Sequence, residues 1–186
     1  MKSVSEMSRI EFAAYVATQL EQSGIAVVLS GGSCVSIYSS DKYVSMDLDF
    51  IETGISSRNA VARCMRNIGF SEENRYFKHP ESELLVDFPP GPLGIGNEPI
   101  TDFNEVTTVT GTLRMLSPTD CVKDRLSWFY HTGDTECLEQ AFMVTLSNEI
   151  DIEEIKRWSA GEGKAKEFKS LKHQLTAYQK GSNLSQ

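Results

Sequence analysis

The stretch Leu29–Ile51 reads LSGGSCVSIYSSDKYVSMDLDFI and contains the residues that decide the fold. A short apolar run, residues 25–29, ends at a glycine–glycine–serine turn. Thirteen residues after that turn come two aspartates at alternate positions, Asp47 and Asp49, inside a second apolar run, Met46–Ile51. Short apolar runs bounded by turn residues are typical of strands in the core of a sheet. We therefore expect two strands, joined through a short helix over about residues 33–39.

The turn consists of Gly31, Gly32 and Ser33. Two residues without Cβ let backbone N–H groups approach an anion closely, and the N-terminus of the following helix favours negative charge. The Ser33 hydroxyl can donate a hydrogen bond to a phosphate oxygen. A tight strand-to-helix turn without any ligand has the same sequence, so the turn alone leaves both interpretations open.

Asp47 and Asp49 are separated by one residue, so their side chains point to the same face of a strand. The two like charges repel each other, and each loses solvation in a sheet. A divalent cation relieves both costs, and Mg²⁺ prefers carboxylates combined with phosphates and waters. The alternative is an exposed edge strand on which the aspartates pair with lysine or arginine.

Asp87 is a third acid inside an apolar segment, Leu84–Phe88. A carboxylate is costly to bury without a partner. On a strand beside Met46–Ile51 it would complete a cluster of three carboxylates. Such a cluster can hold two metal ions, and one of its members can accept the proton of an attacking hydroxyl. Taken alone, Asp87 would be assigned to an edge strand near the proline-rich stretch that follows.

The rest of the chain is organised around a change of character at Leu116. Before it, Ser8 and Glu11 form a capping-box pattern that predicts a first helix, and another helix is predicted over about residues 57–68. Further strands are predicted over residues 75–78, 83–88, 105–109 and 112–116. Pro89–Pro99, with four prolines and three glycines, is predicted to be a loop. After Leu116, four helices are expected over about residues 118–130, 134–146, 152–159 and 165–178.

These patterns predict an α+β fold. We expect a small mixed sheet with flanking helices over residues 1–116, a helical region packed on it over residues 117–180, and a frayed tail over residues 181–186. The formal charge of −8 and the pI near 4.9 argue against a broad nucleic-acid-binding face. Four scattered cysteines and the absence of an apolar segment long enough to span a membrane indicate a cytoplasmic protein with reduced thiols.

The ordered set of G-G-S, D-L-D and the later V-D-F resembles the DNA polymerase β-like nucleotidyltransferase superfamily, over roughly residues 25–90. The resemblance implies that Gly32 and Ser33, with Gly31, hold a nucleoside triphosphate. It also implies that Asp47 and Asp49 bind two Mg²⁺ ions, with Mn²⁺ as an alternative. Asp87 would complete the site as a ligand or as a base.

The second half of the chain is similar to a bacterial subgroup of minimal nucleotidyltransferases, with some likeness to nucleotidyltransferase toxins of the abortive-infection type. In those toxins a helix carries a lysine, followed later by an aspartate near the nucleotide. The likeness implies that Lys123 neutralises phosphate charge as a compact cation. The alternatives are a solvated helix face for Lys123 and a structural pair between Arg125 and Asp134.

The sequence thus predicts an Mg²⁺-dependent nucleotidyltransferase that moves a nucleoside monophosphate from an NTP to a hydroxyl or phosphate acceptor and releases pyrophosphate. A tRNA, a protein or a small molecule could be the acceptor. A toxin or defence-system role would add an antitoxin-like protein partner, whereas no membrane partner is expected. The alternative is a catalytically silent nucleotide- or protein-binding module on the same fold.

Overall fold

The structure is a computed structural model that describes residues 2–182, and its side chains through residue 179. The chain divides into two compact units. The first, here called the sheet unit, comprises the chain up to Ser33, Ser45–Leu93 and Thr101–Leu116. The second, the helical unit, comprises Cys34–Val44, Gly94–Ile100 and the chain from Ser117 onward.

The helices and strands are numbered in chain order. The helices are α1 (Arg9–Gln22), α2 (Gly31–Tyr38), α3 (Arg58–Asn67), α4 (Pro118–Thr132), α5 (Thr135–Ser147), α6 (Ile152–Gly161) and α7 (Ala165–Ser182), with one 3₁₀ turn at Val4–Glu6. The strands are β1 (Val27–Ser30), β2 (Asp47–Glu52), β3 (Ser71–Glu73), β4 (Tyr76–Lys78), β5 (Leu85–Asp87), β6 (Gly94–Ile95), β7 (Glu98–Pro99), β8 (Asn104–Thr108) and β9 (Gly111–Met115).

The sheet unit is built on a seven-stranded mixed sheet with the strand order β3-β4-β5-β2-β1-β9-β8. β2 lies between β1, to which it is antiparallel, and β5, to which it is parallel. α1 packs against β1, β8 and β9 through an apolar face that includes Phe12, Val16 and Leu20, all buried. The predicted mixed sheet with flanking helices, followed by a run of helices, is confirmed.

Helix ends follow the local sequence signals. Ser8 and Glu11 form the predicted capping box at the start of α1. Ser117 caps α4, whose first residue is Pro118, as proline favours. Gly133, with φ of +75°, ends α4, and Asp134 then caps α5. These signals confirm the predicted start of α1 and the predicted change to helices after Leu116.

Two segments differ from the prediction. β3 was not expected, because Ser71–Glu73 is polar and exposed; it forms the edge of the sheet and pairs with β4. The stretch Pro89–Pro99 is not a loop throughout, because β6 and β7 pair as a short antiparallel hairpin. At the C-terminus, Gly181 and Ser182 belong to α7. The rest of the predicted tail, residues 183–186, lies outside the described residues.

The β6–β7 hairpin is bound to α6 within the helical unit. Arg157 donates two hydrogen bonds to the Glu98 carboxylate, at 2.9 and 2.6 Å. The indole N–H of Trp158, a fully buried residue, donates to the Ile95 carbonyl oxygen at 3.2 Å. The backbone N–H of Asn97 donates to Glu162 at 2.8 Å. These contacts give the glycine-rich hairpin a fixed position on α6 that its composition does not suggest.

Replacing Arg157 with methionine is expected to speed amide hydrogen exchange in residues 94–98 by roughly threefold to fivefold, because the exposed bidentate pair with Glu98 is lost while Trp158 still holds Ile95. Lys156→Met removes a neighbouring exposed ion pair, with Glu153, and serves as the control. Equal exchange rates in both variants would show that the Arg157–Glu98 pair does not hold the hairpin.

Within residues 2–182, no helix has the length and apolar character needed to cross a membrane.

Candidate functional site

Three aspartates lie on one face of the central strands of the sheet unit. Asp49 on β2 is paired with Asp87 on β5, and adjacent strands lie about 4.8 Å apart. Leu48 and Val86, the paired residues that precede them, are fully buried on the opposite face. Because side chains alternate along a strand, Asp47 points to the same side as Asp49 and Asp87. The structure therefore places the three carboxylates suggested by the sequence on a common surface.

The glycine turn lies directly against the second of these carboxylates. Ser30, the last residue of β1, is paired with Asp49, and Gly31 follows with φ of +68°. A Cβ atom built on Gly31 would lie only 2.5 Å from Asp49 Oδ2. Only glycine satisfies both the left-handed backbone and the close approach. The turn and the carboxylate surface thus form a single structural feature.

Serine hydroxyls hold β2 to the turn. Ser33, which is fully buried, donates to the carbonyl oxygen of Asp47. Ser30 donates to the carbonyl oxygen of Asp49 at 3.2 Å, and Ser45 donates to that of Asp47 at 3.2 Å. In this structure the Ser33 hydroxyl therefore positions the strand, and its contact with a phosphate stays a prediction. Ser30 and Ser45 were not predicted as site residues, because the sequence marks them by nothing more than their positions near the ends of the segment between the two strands.

Asp87 is buried, with 4% of the residue exposed, and each of its carboxylate oxygens has a partner. The Phe88 N–H donates to Oδ1 at 2.9 Å, and Arg75 Nε lies 3.2 Å from Oδ2. Arg75 also donates to the Tyr76 hydroxyl at 2.7 Å, and its guanidinium lies 4.7 Å from the centre of the Tyr76 ring. The Tyr76 hydroxyl, and then the charge of Asp87, raise the pKa of Arg75 above its ordinary value.

Arg75 is the principal site residue that the sequence analysis missed. It lies just before β4, and β4 pairs with β5, the strand that carries Asp87. A buried aspartate requires a cationic partner or hydrogen-bond donors. An arginine at the start of a predicted neighbouring strand was therefore the signal that could have indicated a partner for Asp87.

The donor set suits a divalent cation, because carboxylate oxygens are the ligands that Mg²⁺ prefers. Asp47, Asp49 and Asp87 supply such oxygens from one face of adjacent strands. Their side chains do not converge, however: among the described residues, no group of three or more His, Cys, Asp or Glu side chains is placed to hold a metal ion. The strand pairing thus brings suitable ligands to one face of the sheet. The Asp87 carboxylate, however, is bound to Arg75 and to the Phe88 N–H in this structure.

Lys123 lies in the helical unit, where its ammonium has two acidic partners. Nζ is 2.9 Å from Asp120 and 3.2 Å from Glu154, and 5% of the side chain is exposed. Arg157, and then Lys123, lower the pKa of Glu154 to about 2, so this carboxylate is ionised at neutral pH. The alternative of a solvated helix face for Lys123 is excluded by this burial, and the contact of Lys123 with a phosphate stays a prediction.

Arg125 and Asp134 have separate partners in the helical unit. Arg125 forms an ion pair with its neighbour Asp124 and donates to Gln140 at 3.3 Å. The Asp134 carboxylate accepts from the backbone N–H groups of Glu136 and Cys137 at the start of α5. The alternative of a direct pair between Arg125 and Asp134 is therefore not what the structure shows. Arg125 pairs with Asp124 within α4, and Asp134 caps α5.

A groove of about 680 Å³ extends along the β3–β4–β5 side of the sheet unit. Its lining includes Ser71, Glu73, Lys78, Ser82, Glu83 and Leu85. Ser71 is paired with Lys78, Lys78 with Leu85, and Leu85 with Asp47. Paired residues point to the same face of a sheet. The strand residues of the groove are therefore on the same face as the three aspartates.

Comparison with known proteins identifies the fold. Neither a protein-family model nor a curated protein matches the chain. The solution structure of the antibiotic-resistance factor ANT(2'')-Ia is 13% identical, with a TM-score of 0.52 over 86% of this chain and 92% of that one. The crystal structure of ANT(2'')-Ia in complex with adenylyl-2''-tobramycin is 15% identical, with a TM-score of 0.53 over 83% and 96%. ANT(2'')-Ia is an aminoglycoside nucleotidyltransferase, and at this level of identity the likeness shows that the present chain shares its fold.

Proposed function

We propose that the protein is an Mg²⁺-dependent nucleotidyltransferase that moves a nucleoside monophosphate from an NTP to a hydroxyl group of a small molecule. The observation that carries this proposal is the placement of Asp47, Asp49 and Asp87 on one sheet face, against a glycine turn that opens a helix. The shared fold with an aminoglycoside nucleotidyltransferase supports it.

The three aspartates and the glycine turn have distinct roles in this proposal. Asp47, Asp49 and Asp87 would hold two Mg²⁺ ions, or Mn²⁺ in their place; when bound, these ions neutralise charge on the reacting phosphate. Asp87 would also accept the proton of the acceptor hydroxyl. The hydroxyl oxygen forms a bond to the α-phosphorus, and the bond from that phosphorus to pyrophosphate breaks. The turn at Gly31–Ser33 would bind the leaving pyrophosphate at the start of α2.

Two observations favour a small-molecule acceptor over a tRNA or a protein. The groove on the same sheet face as the aspartates, at about 680 Å³, has the size of a small-molecule site. The related crystal structure holds adenylyl-2''-tobramycin, a nucleotide joined to a small acceptor. A toxin role with an antitoxin-like partner stays a prediction from the sequence.

The test is transfer of label from each α-³²P-labelled NTP in the presence of Mg²⁺. Tobramycin, a small-molecule fraction of a cell extract, purified tRNA and a protein fraction would be offered separately as acceptors. We expect labelled product with a small molecule, release of pyrophosphate, and loss of both when EDTA removes the metal. Asp47→Asn should give no product, whereas Asp102→Asn, in the segment between β7 and β8, should react as the wild type does.

Other outcomes would contradict the proposal in distinct ways. Label on tRNA or on protein would show that the acceptor class is wrong. NTP binding by calorimetry without pyrophosphate release, with any acceptor, would instead favour the catalytically silent binding module.

A further inference from the structure

The buried carboxylate of Asp87 already has a cationic partner within the sheet unit. Arg75 Nε lies 3.2 Å from Asp87 Oδ2. This oxygen is one of the two atoms through which Asp87 would coordinate a metal ion. A guanidinium at this distance uses that oxygen as a hydrogen-bond acceptor and adds positive charge beside it. Both effects oppose a divalent cation at Asp87. The ion pair and metal coordination therefore compete for the same atom.

The two members of the pair differ in their freedom to move. Only 6% of the Asp87 side chain is exposed, and its strand lies inside the sheet between β4 and β2. Arg75 has 68% of its side chain exposed and follows Asn74, whose φ of +57° marks the turn between β3 and β4. The guanidinium can leave the carboxylate with little loss of packing, whereas Asp87 is fixed by its strand.

The nearby cations Lys78 and Arg58 have partners of their own. Lys78, on the same sheet face as Asp87, pairs with Glu73 at 2.6 Å, whereas Arg58 pairs with Glu72, on the opposite face, at 2.9 Å. Neither of these pairs involves Asp87. A buried carboxylate that loses its partner is strongly destabilised. Arg75 therefore supplies the charge compensation that Asp87 needs when no metal is bound.

We infer that Arg75 is a positioning residue for the proposed reaction: its guanidinium is the resident counter-ion of Asp87, and a divalent cation must displace it to occupy the site. The inference rests on the proposed function, because it presupposes that Asp87 is a metal ligand. It adds a residue outside the motif of turn and aspartates. Metal loading is then accompanied by movement of the Arg75 side chain away from Asp87.

The test measures Mn²⁺ binding without nucleotide, from the electron paramagnetic resonance signal of free Mn²⁺. All variants are measured at the same neutral pH. We expect Arg75→Gln to lower the Mn²⁺ dissociation constant roughly threefold to tenfold, the scale of a partly exposed ion pair. Arg75→Lys keeps a cation at this position and should bind Mn²⁺ more weakly than Arg75→Gln does.

Arg114→Gln is the matched control. Arg114 lies on β9 of the same unit, is partly exposed, and pairs with Glu21 and Glu105. Its replacement removes one positive charge far along the strand order from β5 and should leave the Mn²⁺ dissociation constant unchanged. An equal effect in Arg114→Gln and Arg75→Gln would show a change of net charge only, and would overturn the inference.

A second measurement follows the guanidinium directly. The ¹⁵N-edited resonance of Arg75 Nε–H, assigned by its absence in Arg75→Gln, should shift as diamagnetic Mg²⁺ is added. Unchanged Mn²⁺ affinity in Arg75→Gln would overturn the inference while leaving the proposed function intact. No Mn²⁺ binding in the wild type or in Arg75→Gln, with or without an NTP, would overturn the proposed metal dependence as well.

Discussion

Replacing Asp49 with asparagine is expected to lower the rate of nucleotidyl transfer by roughly a thousandfold or more. Asparagine has nearly the same shape but carries no charge, so it would not neutralise a divalent cation at the centre of the site. Asp49 is paired with Asp87 and lies against Gly31. Asp47, the other aspartate on β2, is paired with Leu85 and cannot take its place. The measurement is the initial rate of label transfer from an NTP at saturating Mg²⁺.

Glu52→Gln is the control for this substitution. Glu52 is an acid on the same strand, and alternation places it on the face opposite to Asp49. We expect Glu52→Gln to keep the wild-type rate, and circular dichroism should show that both variants are folded. A rate for Asp49→Asn within tenfold of the wild type would remove Asp49 from the catalytic site.

Replacing Gly31 with alanine is expected to lower the transfer rate by about a hundredfold or more. The added Cβ would meet Asp49 Oδ2 at 2.5 Å, so either the carboxylate or the turn must move. A displacement of about 1 Å at a reacting centre is enough to lower the rate by two orders of magnitude. The measurement is the same initial rate, made alongside the thermal unfolding midpoint.

Gly24→Ala separates the clash from backbone strain. Gly24 has φ of +76°, close to the +68° of Gly31, and a Cβ built on it meets no atom within 4 Å. Both substitutions carry the left-handed strain of about 1–2 kcal/mol, and both should lower the unfolding midpoint. Only Gly31→Ala should lose activity. Similar rates for the two variants would mean that the contact with Asp49 does not matter for catalysis.

Much of the fold could be predicted because the central elements carry strong local signals. The apolar run before the glycine turn became β1, and the alternating pattern around Asp47 and Asp49 became β2. The capping residues Ser8 and Ser117 fixed the starts of two helices. Each of these signals depends only on residues that are close in the sequence, so it can be recognised without knowledge of the tertiary structure.

The remaining features depend on tertiary contacts that a local pattern does not contain. β3 has no apolar residue and is held by pairing with β4 and by the ion pair of Glu72 with Arg58 on α3. The β6–β7 hairpin has the composition of a loop and is fixed by Arg157 and Trp158, about sixty residues later. Arg75 acquires its place in the site only because β4 and β5 are adjacent in the sheet.

The division of the chain into two units has a consequence for any attempt to dissect the protein. The backbone passes from one unit to the other after residues 33, 44, 93, 100 and 116. A fragment ending at Leu116 would contain the β6–β7 hairpin without Trp158 and the Tyr38 carbonyl without Asn148, its hydrogen-bond donor. No single cut yields either unit whole. The helical unit is thus not a detachable appendage, and domain exchange or truncation must treat the polypeptide as one indivisible piece.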